Sequence, residues 1–227
     1  MEGDWSVPQT EAALLATARS DLPALQLADE VAMLLAEVIQ RIRIDPGQPD
    51  DEPARDRLHA LWYMAISALR ASRAAMHIFS LGYEDQSVGY QRLIDELHNR
   101  AQRVRADASG QYATRWLAGR SQGKGAKLAG QEFWDFLSRP SHADVRAIMD
   151  WIAVPQEDGS VKIVIGPERR PEQANAALTY ISGEARDIAS MLALEAGLTV
   201  DLRSLDLRLA AAQAEFIPGD EDEAEQT

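Results

Sequence analysis

The chain has 227 residues, with 36 acidic against 23 basic side chains and a formal net charge of −13. It contains no cysteine, which excludes disulfides, thiolate metal sites and cysteine nucleophiles. The acidic balance disfavours a general nucleic-acid surface. A composition of 46% hydrophobic and 26% charged residues is that of a globular domain with a substantial core.

Residues 1–8 read as a loose leader without the basic-then-apolar pattern of a signal segment. No apolar run approaches the roughly 20 residues of a membrane span, so the expectation is a cytoplasmic protein that does not enter a membrane. Residues 10–20 predict a short helix. Asp21 reads as the cap of a second helix, with Pro23 in its first turn. Leu27, Val31, Leu34, Leu35, Val38, Ile39 and Ile42 mark the buried side of that helix. The stretch DPGQPDDEP at 45–53 is a turn-rich connector.

The chain is organised around residues 51–81. Asp51 and Glu52 precede Pro53, so acid sits at the positive end of a helix and proline falls where its missing N–H costs nothing. No later glycine or proline interrupts the run up to Leu81. Leu58, Leu61, Ala65, Leu69, Ser72, Met76 and Phe79 repeat at helical spacing, and further apolar residues outside that stripe predict a helix central to its domain. A second line breaks the pattern: His59, Tyr63, Ile66, Arg70, Arg73 and His77 recur at steps of four and three and share one face. These polar groups need partners or water if covered. Either they form a pocket or dimer seam, or they are the solvated edge of a central helix.

Gly82 ends this run, and Ser87 reads as the cap of a fourth helix whose apolar side is Tyr90, Leu93, Leu97, Ala101 and Val104. From Arg100 to Lys127 the basic residues outnumber the single acid, Asp107. Arg100, Arg103, Arg105, Arg115 and Arg120 are therefore a candidate phosphate-binding patch, or a partner for the chain's own acidic end. GRSQGKGAK at 119–127 lacks the spacing and the Ser or Thr of a phosphate-binding loop. Helices are predicted over 127–138 and 142–152. Asp158-Gly159 predicts a small β-hairpin within 151–165. Pro171 opens a long helix to about Ala196, and Leu202, Leu205, Leu209, Ala212 and Phe216 predict a last one, with a strand as its alternative. Residues 219–227 form an acidic tail without apolar anchors. The fold class expected is all-α: one domain over 1–218, a bundle of about seven or eight helices.

The four histidines give no metal-ligand spacing, and no cofactor motif is present, so no metal and no cofactor is expected. The long helix, the stretch FWDFLSRPSHADVRAI and the hairpin after it resemble a group of bacterial helical proteins akin to the HEPN superfamily of defence and mobile elements. The residues that carry the likeness are Leu69-Arg70, then an aromatic before Leu137-Ser138, then His142. The resemblance implies a dimeric bundle. In active members it implies a metal-independent ribonuclease, with an arginine and a histidine separated by four to six intervening residues. Arg70 with His77 and Arg92 with His98 have that spacing. Carried over residue by residue, Arg70, His77 and His142 are the catalytic candidates: histidine would assist attack of the ribose 2′-hydroxyl while arginine holds the phosphate.

Two principal functions follow as expectations. One is a non-catalytic interaction protein, a homodimer or the partner of another protein, with His59, Tyr63, Arg70, Arg73 and His77 at the interface. The other is an RNA-cleaving enzyme, which the net charge disfavours. A small-molecule sensor with a pocket near Tyr63 and Arg70 is a third possibility.

Overall fold

A computed structural model describes residues 7–42, 52–119, 153–155, 161–163 and 167–216. Among them are seven helices: α1 (Val7–Asp21), α2 (Ala24–Arg41), α3 (Glu52–Leu81), α4 (Glu84–Ala106), α5 (Gln111–Leu117), α6 (Pro171–Glu195) and α7 (Arg203–Phe216). Two three-residue strands, β1 (Ala153–Pro155) and β2 (Val161–Ile163), pair antiparallel with Val154 opposite Lys162. The fold is all-α with this small ribbon added. Among the described residues no helix is long and apolar enough to cross a membrane. The helices expected over 127–138 and 142–152, most of the 45–53 connector and the 219–227 tail lie outside the described residues.

Helix α3 is the hub, in contact with α1, α2, α4, α5 and α6. Its Leu61, Met64, Ala65 and Ala68 join Val31 and Leu35 of α2, Leu97 and Ala101 of α4, and Ile188 and Leu192 of α6 in the largest core cluster. A second cluster gathers Ala75, Met76 and Phe79 with Leu22, Ile94, Leu178 and Ile181. Alanine recurs along the buried faces of α2, α3 and α6. Small side chains let helix axes approach closely, so the backbones themselves pack. Helix α7 closes the far side, with Leu209 and Ala212 against Leu27; its helical period overrides the local alternation that also suits a strand.

Three local expectations need correction. Asp21 does not cap α2: it ends α1, and its carboxylate accepts from Thr17 Oγ1 at 2.6 Å and from Arg169 Nη1 at 2.5 Å. The Ala24 N–H instead donates to Asn175 Oδ1 of α6 at 3.1 Å, a partner 151 positions away that local sequence could not reveal. Helix α4 starts at Glu84, so Ser87 lies inside it and donates to Glu84 O at 2.5 Å. The buried arc also differs from the expected one, since Ile94 is enclosed and Leu93 is exposed.

Gly82, at φ 79°, makes the tight turn from α3 to α4. Its carbonyl accepts from the Glu168 N–H at 2.9 Å, which brings residues 167–170 against the turn. Arg169 then fastens this strand of chain. Its guanidinium donates to Ser80 O at 2.8 Å, to Leu14 O and to Asp21 Oδ2, joining α1 and the α3 terminus. Beside it the buried Glu84 carboxylate accepts the Arg170 N–H at 2.5 Å. Burial pushes Glu84 up to about 7.

Candidate functional site

The polar line of α3 lies on the outside of the bundle. Tyr63 is 50% exposed, Arg70 and His77 are exposed, and His59 and Ile66 are half-buried. Among the described residues, none covers this face. At about 100° per residue, Arg70 and His77 point the same way two turns apart. Trp62 turns inward, donating Nε1–H to Ile39 O of α2 at 3.4 Å, and meets the Tyr63 ring edge-on with centroids 5.3 Å apart. Arg73 leans toward α2, where Nη1 donates to Asp29 Oδ1 at 2.5 Å. The spacing brings His59, Tyr63, Arg70, Arg73 and His77 onto one surface, and the surface is open.

The second Arg–His spacing is split by the fold. Six positions on a helix leave Arg92 and His98 on different sides; His98 is buried against α6 while Arg92 is half-buried. His142 lies outside the described residues.

The described members of the candidate phosphate patch are engaged within the chain or turned apart. Arg100 forms an ion pair with Glu96 on its own helix. Arg103 lies over the Tyr112 ring, its Cζ 6.0 Å from the centroid. Arg105 is exposed and 200° around the helix from Arg103. Arg115 donates to Gln111 Oε1 at 2.8 Å, and Arg120 lies outside the described residues. A hollow of about 350 Å³ at the base of α3 is lined by Glu52, Pro53, Ser109, Gln111, Thr114 and Arg115, so it shares nothing with the Tyr63 line.

A further set of titratable groups is one the sequence showed only in half. Asp95 and His98 on α4 face Tyr180, Glu184 and Asp187 on α6. His98 Nδ1 meets Glu184 Oε2, and Nε2 lies 3.5 Å from Asp187 Oδ2 and 3.0 Å from Gln102 Nε2. Burial opposes the imidazolium, but Asp187 and Glu184 outweigh it and raise His98 to about 9. Burial raises Glu184, whereas the hydrogen bond from His98 lowers Asp187. Tyr180 donates its hydroxyl to Asp95 Oδ1 at 2.9 Å. Burial raises both of these groups. Asp95 is 2% exposed, and among the described residues no group hydrogen-bonds its enclosed Oδ2. Arg186 continues the array, donating to both Asp206 oxygens of α7 at 2.7 Å. The two nitrogens of His98 point to different acids, so the histidine serves as a cationic bridge between helices. Among the described residues no group of three or more histidine or carboxylate side chains is arranged to hold a metal ion.

The signal for this array was the recurrence of Gln91, Asp95, His98 and Gln102 at four, three and four, matched by Tyr180, Glu184 and Asp187. Each line alone reads as a solvated stripe, and only the facing of α4 and α6 joins them. Comparison with known proteins finds no matching family model, no matching characterised protein and no matching solved structure.

Proposed function

We propose that this chain is a non-catalytic interaction protein that binds a protein partner through the outer face of α3. The observation that carries this reading is the exposure of Tyr63 on the helix that otherwise forms the centre of the core. A half-exposed aromatic with Arg70 two turns along the same face and His77 two turns beyond is the mixture that protein interfaces favour: a ring to bury, with guanidinium and imidazole to fix orientation. The net charge of −13 supports a protein partner over RNA. Placement in a bacterial defence or mobile-element system rests on the resemblance carried by Leu69-Arg70, Leu137-Ser138 and His142.

Ribonuclease activity is the competing reading, because Arg70 and His77 share the same open face. Incubating the purified chain with total RNA separates the two. The proposal expects no cleavage. Cleavage that Arg70→Ala and His77→Ala both abolish would overturn it.

A further inference from the structure

We infer that the partner on this face is a second copy of the chain, with the two α3 helices antiparallel about a two-fold axis that crosses the outer face at the level of residue 68, between Ile66 and Arg70. This inference rests on the interaction reading above and names its partner.

The spacing supplies the first argument. A two-fold interface must complement itself, each residue meeting a partner that meets it in return. Reversing the α3 line about position 68 sets His59 against His77 of the second copy, Tyr63 against Arg73, and Ile66 against Arg70. Each contact then occurs twice. An arginine over a tyrosine face and an arginine stem along isoleucine are both favourable pairings.

Helix α2 supplies the second. Two ties fix its level along α3: Asp29 with Arg73 at one end, and Ile39 O with Trp62 Nε1 at the other. The helices therefore run antiparallel, and interpolation places Met33 beside residue 68 and Glu37 beside residue 64. Met33 is 53% exposed and falls at the axis, where the second Met33 would join it. Glu37 reaches the level at which the second copy presents Arg70 and Arg73. Among the described residues Glu37 pairs only with Arg41, one turn away at 3.5 Å, and both side chains are exposed. The face thus carries its own apolar centre and both signs of charge, offset so that a two-fold brings opposite signs together.

Area sets the strength. From His59 to His77 is about 27 Å of helix, and two helices are about 20 Å wide, so each copy would bury roughly 500 Å². The total of about 1,000 Å² is the small end of specific interfaces. The dimer should therefore depend on concentration.

The absence of native cysteine makes the register directly testable. His59→Cys and His77→Cys are prepared as single variants and treated with a short thiol–thiol cross-linker, separately and mixed. Antiparallel pairing predicts a covalent dimer only in the mixture, since the two copies of either position lie about 27 Å apart along the helix. Cross-linking of each variant with itself would mean parallel pairing and would overturn the inference. So would a lack of cross-linking in the mixture at concentrations up to 100-fold above those used for purification. As a second readout, Arg70→Glu should shift the dimer to monomer in sedimentation, and adding Glu37→Arg should restore it. A double variant that stays monomeric with an unchanged melting temperature would contradict the pairing. The two readings fail separately. Missing cross-links without RNA cleavage sink only the second copy as partner, whereas cleavage lost with Arg70→Ala and His77→Ala sinks the non-catalytic reading itself.

Discussion

Arg73 Nη1 and Asp29 Oδ1, 2.5 Å apart, join the edge of α3 to α2 at the rim of the open face. Both side chains are substantially exposed, 49% and 36%, so solvent screens the pair and its contribution to the fold is small. Its value lies in setting the level of α2 along α3. Arg73→Ala is expected to lower unfolding free energy by less than about 0.5 kcal/mol in urea titration. It should weaken association of the chain by a larger factor, measured by sedimentation across a concentration series.

The bridge between α4 and α6 should behave in the opposite way. His98 stands between Glu184 and Asp187 in a buried setting, and removing it leaves two facing carboxylates without their cation. His98→Ala is expected to cost about 3 kcal/mol of stability. The pH dependence has a definite sign. A histidine raised from its ordinary 6.5 to about 9 binds its proton more tightly when folded. Its contribution is complete below 6.5 and is lost as pH rises through 9, a loss on the order of 2–3 kcal/mol. Urea unfolding of the wild type at pH 6 and pH 9.5 should show this loss, and His98→Gln should reduce it.

Glu84 gives a second test with the same sign and a lower window. Burial raises it from 4.5 to about 7, so the folded state favours the neutral acid and stability falls as pH rises from 4.5 through 7. Glu84→Gln keeps an oxygen for the Arg170 N–H and removes the buried charge. The variant should be more stable than wild type at pH 8 by about 1–3 kcal/mol and close to it at pH 4. Thermal unfolding at the two pH values measures the difference.

Arg169 is nearly enclosed, with its side chain 3% exposed, and donates to two backbone carbonyls and a carboxylate on α1 and α3. Lysine has the charge without the planar fork. Arg169→Lys is therefore expected to lower stability by about 2 kcal/mol, and hydrogen exchange should rise first in α1 and in residues 167–170.

The fold was legible because helical periodicity was strong. The α3 stripe of Leu61, Ala65, Met76 and Phe79 is buried, and α6 runs from Pro171 to Glu195, within one residue of the expected end. The α4 start was misread because Ser87 has the chemistry of a cap while its hydroxyl returns to Glu84 O within the helix. The α2 start was misread because its partner, Asn175, comes from α6. The polar line of α3 was visible from spacing alone, but spacing cannot say whether a shared face is covered. Whether α3 lies under its neighbours at Tyr63 depends on where α2 and α4 pack, which is a property of the whole bundle. The acid–histidine array was hidden for the same reason: Glu184 and Asp187 are 86 and 89 positions from His98.

The central claim is that the Tyr63 face is open in a lone protomer and covered in the assembled protein. Hydroxyl-radical footprinting across a concentration series measures this directly. Tyr63, Met33 and His77 should be modified rapidly in dilute protein and become protected as it is concentrated, while exposed Leu194 and Leu207, on other faces, keep their reactivity. Equal reactivity of Tyr63 at every concentration would contradict the account.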